Sequence, residues 1–147
     1  MNPTELILSG ARPPGVYRLA SNWNADFVVE PLTRQGWRGF YVDGQVVKDK
    51  AAFLRVAGLA MDFPNYVGQN WDAFEEAIRD LSWTGPTQGY VLFYDGVWHL
   101  PWHDPEAWQT ARSILTDTVA FWRTQGTPFY VLLSRTWWYA RDVAKLE

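Results

Sequence analysis

Three short apolar runs, Phe40–Tyr41–Val42, Tyr90–Tyr94 and Phe129–Leu133, are separated by stretches of helical periodicity, and this alternation constrains the fold of the 147-residue chain most. Continuous apolar runs of this length suit buried parallel strands. Strands joined by helix-length connections lie parallel, with right-handed crossovers, because a hairpin needs a short turn. The spacing predicts an α/β domain: a small two-layer fold, a three-stranded parallel sheet with its helices packed on one face.

The punctuation agrees. Asp43–Gly44 and Asp95–Gly96 are turn pairs that stop the first two strands. Asp49 stands as an N-cap before Ala51, Phe53, Leu54, Ala57 and Leu59, which share one helical face. Asn70 caps a helix from Trp71 to about Leu81, and Asp104–Pro105 opens a long helix with the stripe Ala107, Ala111, Ile114, Leu115, Val119 and Trp122. Gly126 closes that helix. Between Asp95–Gly96 and Asp104 a loop carries Trp98, His99, Trp102 and His103.

Residues 1–37 read differently. Two β-like runs, Val16–Ala20 and Phe27–Leu32, flank the turn-rich Ser21–Asn22–Trp23–Asn24. This pattern predicts a β-hairpin, so the chain divides into an N-terminal β-rich extension over residues 1–37 and a domain over residues 38–147.

No cysteine occurs, which excludes disulfides, thiol nucleophiles and cysteine zinc sites. Met1–Gly10 lacks the basic start and apolar run of a secretory signal, and no stretch is apolar enough to span a bilayer. The expectation is a cytoplasmic protein without a membrane segment.

The net charge of -3 is concentrated in one place. Residues 61–80 hold Asp62, Asp72, Glu75, Glu76 and Asp80 against Arg79, a local charge of -4 that leaves +1 for the rest of the chain. A nucleic-acid binder shows the opposite, a basic patch, so this window points to a positively charged partner and to no direct nucleic-acid contact. On a helical wheel Trp71, Phe74, Ala77, Ile78 and Leu81 turn inward. Asp72, Glu76 and Asp80 form an outward ridge at i, i+4, i+8, a spacing at which like charges destabilise a lone helix. The preceding loop, Phe63 to Gln69, adds the aromatic Tyr66 beside the charges. In purely structural terms Asn70 is a cap, Gly68 a position of positive φ, and Trp71 an edge of the core.

Catalytic readings fare poorly. Asp72 and Glu76 are neighbours on one convex helix, whereas glycosidase carboxylates flank a cleft. His99 and His103 are separated by Pro101, which argues against a shared helical face for a metal. No glycine-rich phosphate loop or nucleophile elbow is present. The sequence therefore implies no enzyme, no catalytic residue, no metal and no cofactor.

The run Phe63-Pro64-Asn65-Tyr66-Val67-Gly68-Gln69-Asn70-Trp71-Asp72-Ala73-Phe74-Glu75-Glu76-Ala77-Ile78 resembles the signature segment of the barstar family, and the likeness extends over about Arg38 to Ser134. The resemblance implies an intracellular inhibitor, monomeric when free, that plugs the basic active site of a barnase-like or toxin ribonuclease with this helix and loop. Carried over by position, Tyr66, Gly68, Asn70, Trp71, Asp72, Glu75, Glu76 and Arg79 form the contact face, with Trp83 near the family's aromatic at the helix exit. The acid at the Glu76 position takes the place of a substrate phosphate. Glu76 stands where the prototype has Asp, Glu75 where it has an aromatic and Arg79 where it has a small polar residue, which changes the reach and the charge pattern. A different reading is a Trp-rich module that stacks a sugar or nucleobase on Trp98, Trp102, Trp137 or Trp138, drawn from the ten tryptophans. A third is an interaction domain that keeps the fold without inhibition.

Overall fold

A computed structural model describes residues 1–20 and 23–147. Its centre is a four-stranded, all-parallel sheet of β1 (Val16–Arg18), β2 (Arg38–Asp43), β3 (Tyr90–Asp95) and β4 (Phe129–Leu133), in the order β1-β4-β3-β2. β3 pairs with β2 from Arg38↔Tyr90 to Asp43↔Asp95, and with β4 from Tyr90↔Phe129 to Tyr94↔Leu133. The three expected strands are therefore parallel neighbours, and β1 is a fourth.

The helices lie on both faces. Against one face pack α3 (Lys50–Ala60), α4 (Trp71–Ile78) and α6 (Pro105–Thr124), which enclose Phe40, Val42, Leu92, Tyr94, Val131 and Leu133. Against the other pack α1 (Pro3–Ser9) and α2 (Ala25–Arg34), where Leu6, Ile7, Val28 and Leu32 meet Val91, Phe93, Tyr130 and Leu132. The two-layer expectation is corrected to three layers, for a reason present in the strands themselves. Every residue of β4 is buried, and so are the first five of β3, which requires cover on both sides. β2 is an edge, so its side chains alternate and Tyr41 stays exposed.

The expected hairpin does not form. Val16–Arg18 is a strand, but it pairs in parallel with Val131–Leu133, while Phe27–Leu32 lies inside α2. Ser21 and Asn22, half of the expected turn, lie outside the described residues. The Asn24 side chain accepts from Phe27 N and starts α2 one turn earlier than the β-branched pair Val28–Val29 suggests. Val28 and Leu32, at i and i+4, are fully buried, whereas Phe27 is 66% exposed. An amphipathic face outweighs β-propensity here. Pro31, inside the helix, cannot donate to the Phe27 carbonyl, and the Thr4 hydroxyl of α1 compensates by reaching Phe27 O at 3.5 Å and Val28 O at 3.0 Å.

Capping follows the sequence elsewhere. Asp49, Asn70 and Asp104 accept from Ala52, Ala73 and Ala107 respectively. The expected loop between β3 and α6 contains a single-turn helix, α5 (His99–His103), because Pro101 falls within the first turn, where its missing N–H costs nothing. The C-terminal stretch returns along β1, with Leu146 N donating to Arg18 O and Arg18 N to Ala144 O, and so covers an open sheet edge. Among the described residues, no helix is long and apolar enough to cross a membrane.

Candidate partner-binding surface

The acidic window folds as a loop and helix anchored by aromatic packing. Phe74 is buried between Phe53, at 5.3 Å between ring centroids, and Phe63, at 5.6 Å. Removing such a ring leaves a cavity worth about 3–5 kcal/mol, so the inward face of α4 fixes how the outward face is presented. The loop is pinned at both ends. Phe63 N donates to Gly58 O, Val67 N to Pro64 O, and the Trp83 indole to Met61 O at 2.9 Å. Trp83 also meets Phe63 edge-on, which ties the exit of α4 to the start of the loop.

α4 ends at Ile78, earlier than the periodicity predicts, and Leu81 then takes a left-handed φ of 51° with its side chain buried. Asp80 therefore stands in a turn beyond the helix, where its carboxylate accepts from Ser82 N, rather than in the last helical turn where the dipole disfavours an anion.

The charges of the window separate into two groups. Asp62 is paired with Arg38, and Glu75 with Arg79 at 3.3 Å. Arg79 also lies over the Phe121 ring of α6, so this pair sits toward α6. Among the described residues, Asp72, Glu76 and Asp80 have no cation within the 4.0 Å of a salt bridge. Glu76 and Asp80 edge a groove of about 250 Å³ whose wall includes Tyr66, Gly68 and Trp83. Tyr66 is 78% exposed at the groove mouth. Asp72 is exposed on the first turn of α4, outside the groove lining.

The nine residues singled out by sequence fall into distinct places. Tyr66, Gly68, Glu76 and Trp83 come together around the groove, with Asn70 and Asp72 exposed beside it. Trp71 is half-buried against Phe53, with the Lys50 ammonium over its ring, and Glu75 and Arg79 pair with each other. Gly68 does not have the expected positive φ. A side chain there would meet the Asn70 amide at 3.1 Å, so Gly68 keeps room for the cap. Val67, Ala73, Ala77 and Asp80 also line the groove and were not in the expected set. The signal was legible: Ala73 and Ala77 are small residues one turn apart, and small residues on a helix face leave a depression.

Elsewhere, the Trp98 and Trp137 rings stack at 4.2 Å with 5° between planes, and Trp102, Trp137 and Trp138 are exposed. The His103 ring bonds the His99 carbonyl, and no group of three or more metal-ligating side chains occurs among the described residues.

The family model described as "Barstar (barnase inhibitor)" matches residues 37–134, two thirds of the chain, including the whole loop and helix described above. The chain belongs to the barstar family. Membership implies, in general terms, an inhibitor that binds a ribonuclease. No curated protein matches the chain. Among solved structures, the chain resembles the Aeropyrum pernix ORC2 protein in its ADP form, with a TM-score of 0.61 and 15% identity over 96% of this chain and 41% of that one. The same protein in its ADPNP–ADP complexes gives a TM-score of 0.61 and 15% identity over 94% and 40%. The chain spans about two fifths of the length of those structures, and at such identity the likeness concerns the fold alone.

Proposed function

We propose that this barstar-family chain inhibits a basic ribonuclease, of the barnase-like or toxin type, by seating the Tyr66 loop and the acidic face of α4 in the enzyme's active site. The observation that carries this reading is the uncompensated set Asp72, Glu76 and Asp80 beside a groove walled by Tyr66 and Trp83, while Asp62 and Glu75 are neutralised within the chain. Carboxylates without an internal partner are available to guanidinium and ammonium groups that hold substrate phosphates, and Glu76 stands in for such a phosphate. Tyr66, Gly68, Asn70, Asp72, Glu76 and Trp83 form the contact centre, and Trp71, Glu75 and Arg79 support it from behind. The inhibitor acts as a cytoplasmic monomer, touches no nucleic acid and performs no chemistry of its own.

Titration of a barnase-type ribonuclease with the purified chain tests the proposal, and stoichiometric loss of activity is the expected result. Asp72→Ala and Glu76→Ala should each weaken the complex by about 2–5 kcal/mol, the usual cost of orphaning a buried charge partner, a range to which the family's prototype complex itself contributes. Both residues face outward, so thermal unfolding should change little. Unaltered affinity in both variants would place the interface elsewhere.

A further inference from the structure

The crossover that follows β1 passes through α2 on one face of the sheet, whereas those following β2 and β3 pass through α3, α4 and α6 on the other. Where crossovers diverge in this way, the carboxyl ends of parallel strands open into a crevice, the usual ligand position in such sheets. A cavity of about 460 Å³ lies there, at the ends of β1 and β4. That volume is within the range of small-molecule sites, roughly 300–1,000 Å³.

The lining of this crevice inverts the charge of the α4 groove. Arg18, Arg135 and Lys145 face it, with Glu147 as the one carboxylate side chain among the described residues. Arg18 gives its Nε to the Val143 carbonyl at 2.6 Å, which fixes the guanidinium and leaves its terminal nitrogens without a partner among the described residues. Arg135 holds Asp95 at 3.6 Å yet keeps its side chain 62% exposed. Trp137 lines the same crevice, braced flat against Trp98 and still 49% exposed. The platform is rigid: Val97 N donates to Ser134 O and Trp98 N to Arg135 O. Arg135 and Trp137 have φ of 51° and 50°, a left-handed conformation that bulky residues avoid and that collects at ligand sites.

We propose that this crevice binds a small ligand of nucleoside monophosphate chemistry, its planar ring against Trp137 and its anion held by Arg18, Arg135 and Lys145. An aromatic surface beside three cations, two of which (Arg18 and Lys145) have no carboxylate partner among the described residues, matches a ring joined to a phosphate better than it matches either part alone. β1 runs into Leu19 and Ala20 without a glycine-rich phosphate loop, so side chains hold the anion and a triphosphate gains no backbone cradle. The site is separate from the α4 groove and does not rest on ribonuclease inhibition.

Calorimetric and tryptophan-fluorescence titrations of the whole chain with adenosine monophosphate, adenosine and inorganic phosphate test the site. Saturable binding of the monophosphate is expected, with adenosine and phosphate each at least roughly tenfold weaker. Arg135→Gly, which suits the left-handed backbone, and Lys145→Ala should each weaken monophosphate binding by roughly tenfold, and Glu76→Ala should leave it unchanged. Circular dichroism confirms that each variant is folded. No saturation by the monophosphate up to about 1 mM, affinity in both cation variants unchanged from that of the original chain, or binding by oligonucleotides alone would each overturn the proposal.

Discussion

Tyr94 lies fully buried in β3, and its hydroxyl meets no hydrogen-bond partner among the described residues. Burial alone pushes its phenol well above the ordinary range. A desolvated, unpaired hydroxyl opposes folding, so Tyr94→Phe should raise stability by about 1 kcal/mol in urea unfolding, and a loss of that size would contradict the assignment. Two other tyrosines make the fold sensitive to alkali. Burial pushes Tyr41 up to about 12, aided by its hydrogen bond to Asp95, and burial followed by the Tyr17 ring pushes Tyr130 up to about 12. The unfolded chain releases these protons near pH 10. Between roughly pH 10 and 12 the folded state thus binds more protons, and stability that is complete below pH 10 falls across that window. Tyr94 retains its proton across the same window, and it and Tyr130 are buried whereas Tyr41 is half exposed, so Tyr94→Phe and Tyr130→Phe should each remove more of the slope in urea midpoints measured against pH than Tyr41→Phe does. At this scale the sequence was a good guide to caps and a poor one to partners. Asn70 caps α4 as its type and position imply, and the Glu75–Arg79 pair follows from i, i+4 spacing, whereas the Phe121 ring over Arg79 depends on how α6 crosses α4.

α2 shows where local reading loses to packing. Val28, Val29 and the flanking turn residues suit a strand, yet Ala25, Val28, Val29 and Leu32 also carry helical spacing, and α1 supplies the surface that makes this spacing decisive. A pattern legible both ways is settled by what covers it, and the cover lies more than twenty residues away in Thr4, Leu6 and Ile7. Thr4→Val should leave the Phe27 carbonyl, which Pro31 cannot serve, without its donor from α1 and cost about 0.5–1.5 kcal/mol by thermal or urea unfolding. A neutral result would mean that Pro31 needs no support from α1. The strands β2, β3 and β4 were legible because each is a compact apolar run between turn signals, and α4 because its inward and outward faces differ so sharply in chemistry. The left-handed turn at Leu81 that ends α4 has no glycine to announce it, which is why the periodicity predicts a longer helix.

For the whole molecule, the three-layer arrangement places the acidic α4 face and the cationic crevice on separate parts of the surface. The fourth strand and the second helical layer follow from the unbroken apolar runs of β3 and β4, a demand visible in the sequence, but which residues met it was not. Net charge of -3 understates the field of the protein, because three carboxylates without a cation partner among the described residues share one surface. A surface of this kind attracts positive charge over a Debye length of about 8 Å at physiological salt. The proposed docking of α4 in a basic ribonuclease cleft is best probed by stopped-flow association of the chain with a barnase-type ribonuclease across a salt series. The predicted result is an association rate that falls steeply with salt, a dissociation rate that changes little, and a salt slope reduced in the Asp72→Asn/Glu76→Gln double variant. An association rate indifferent to salt, or a double variant that associates and dissociates like the original chain, would contradict it.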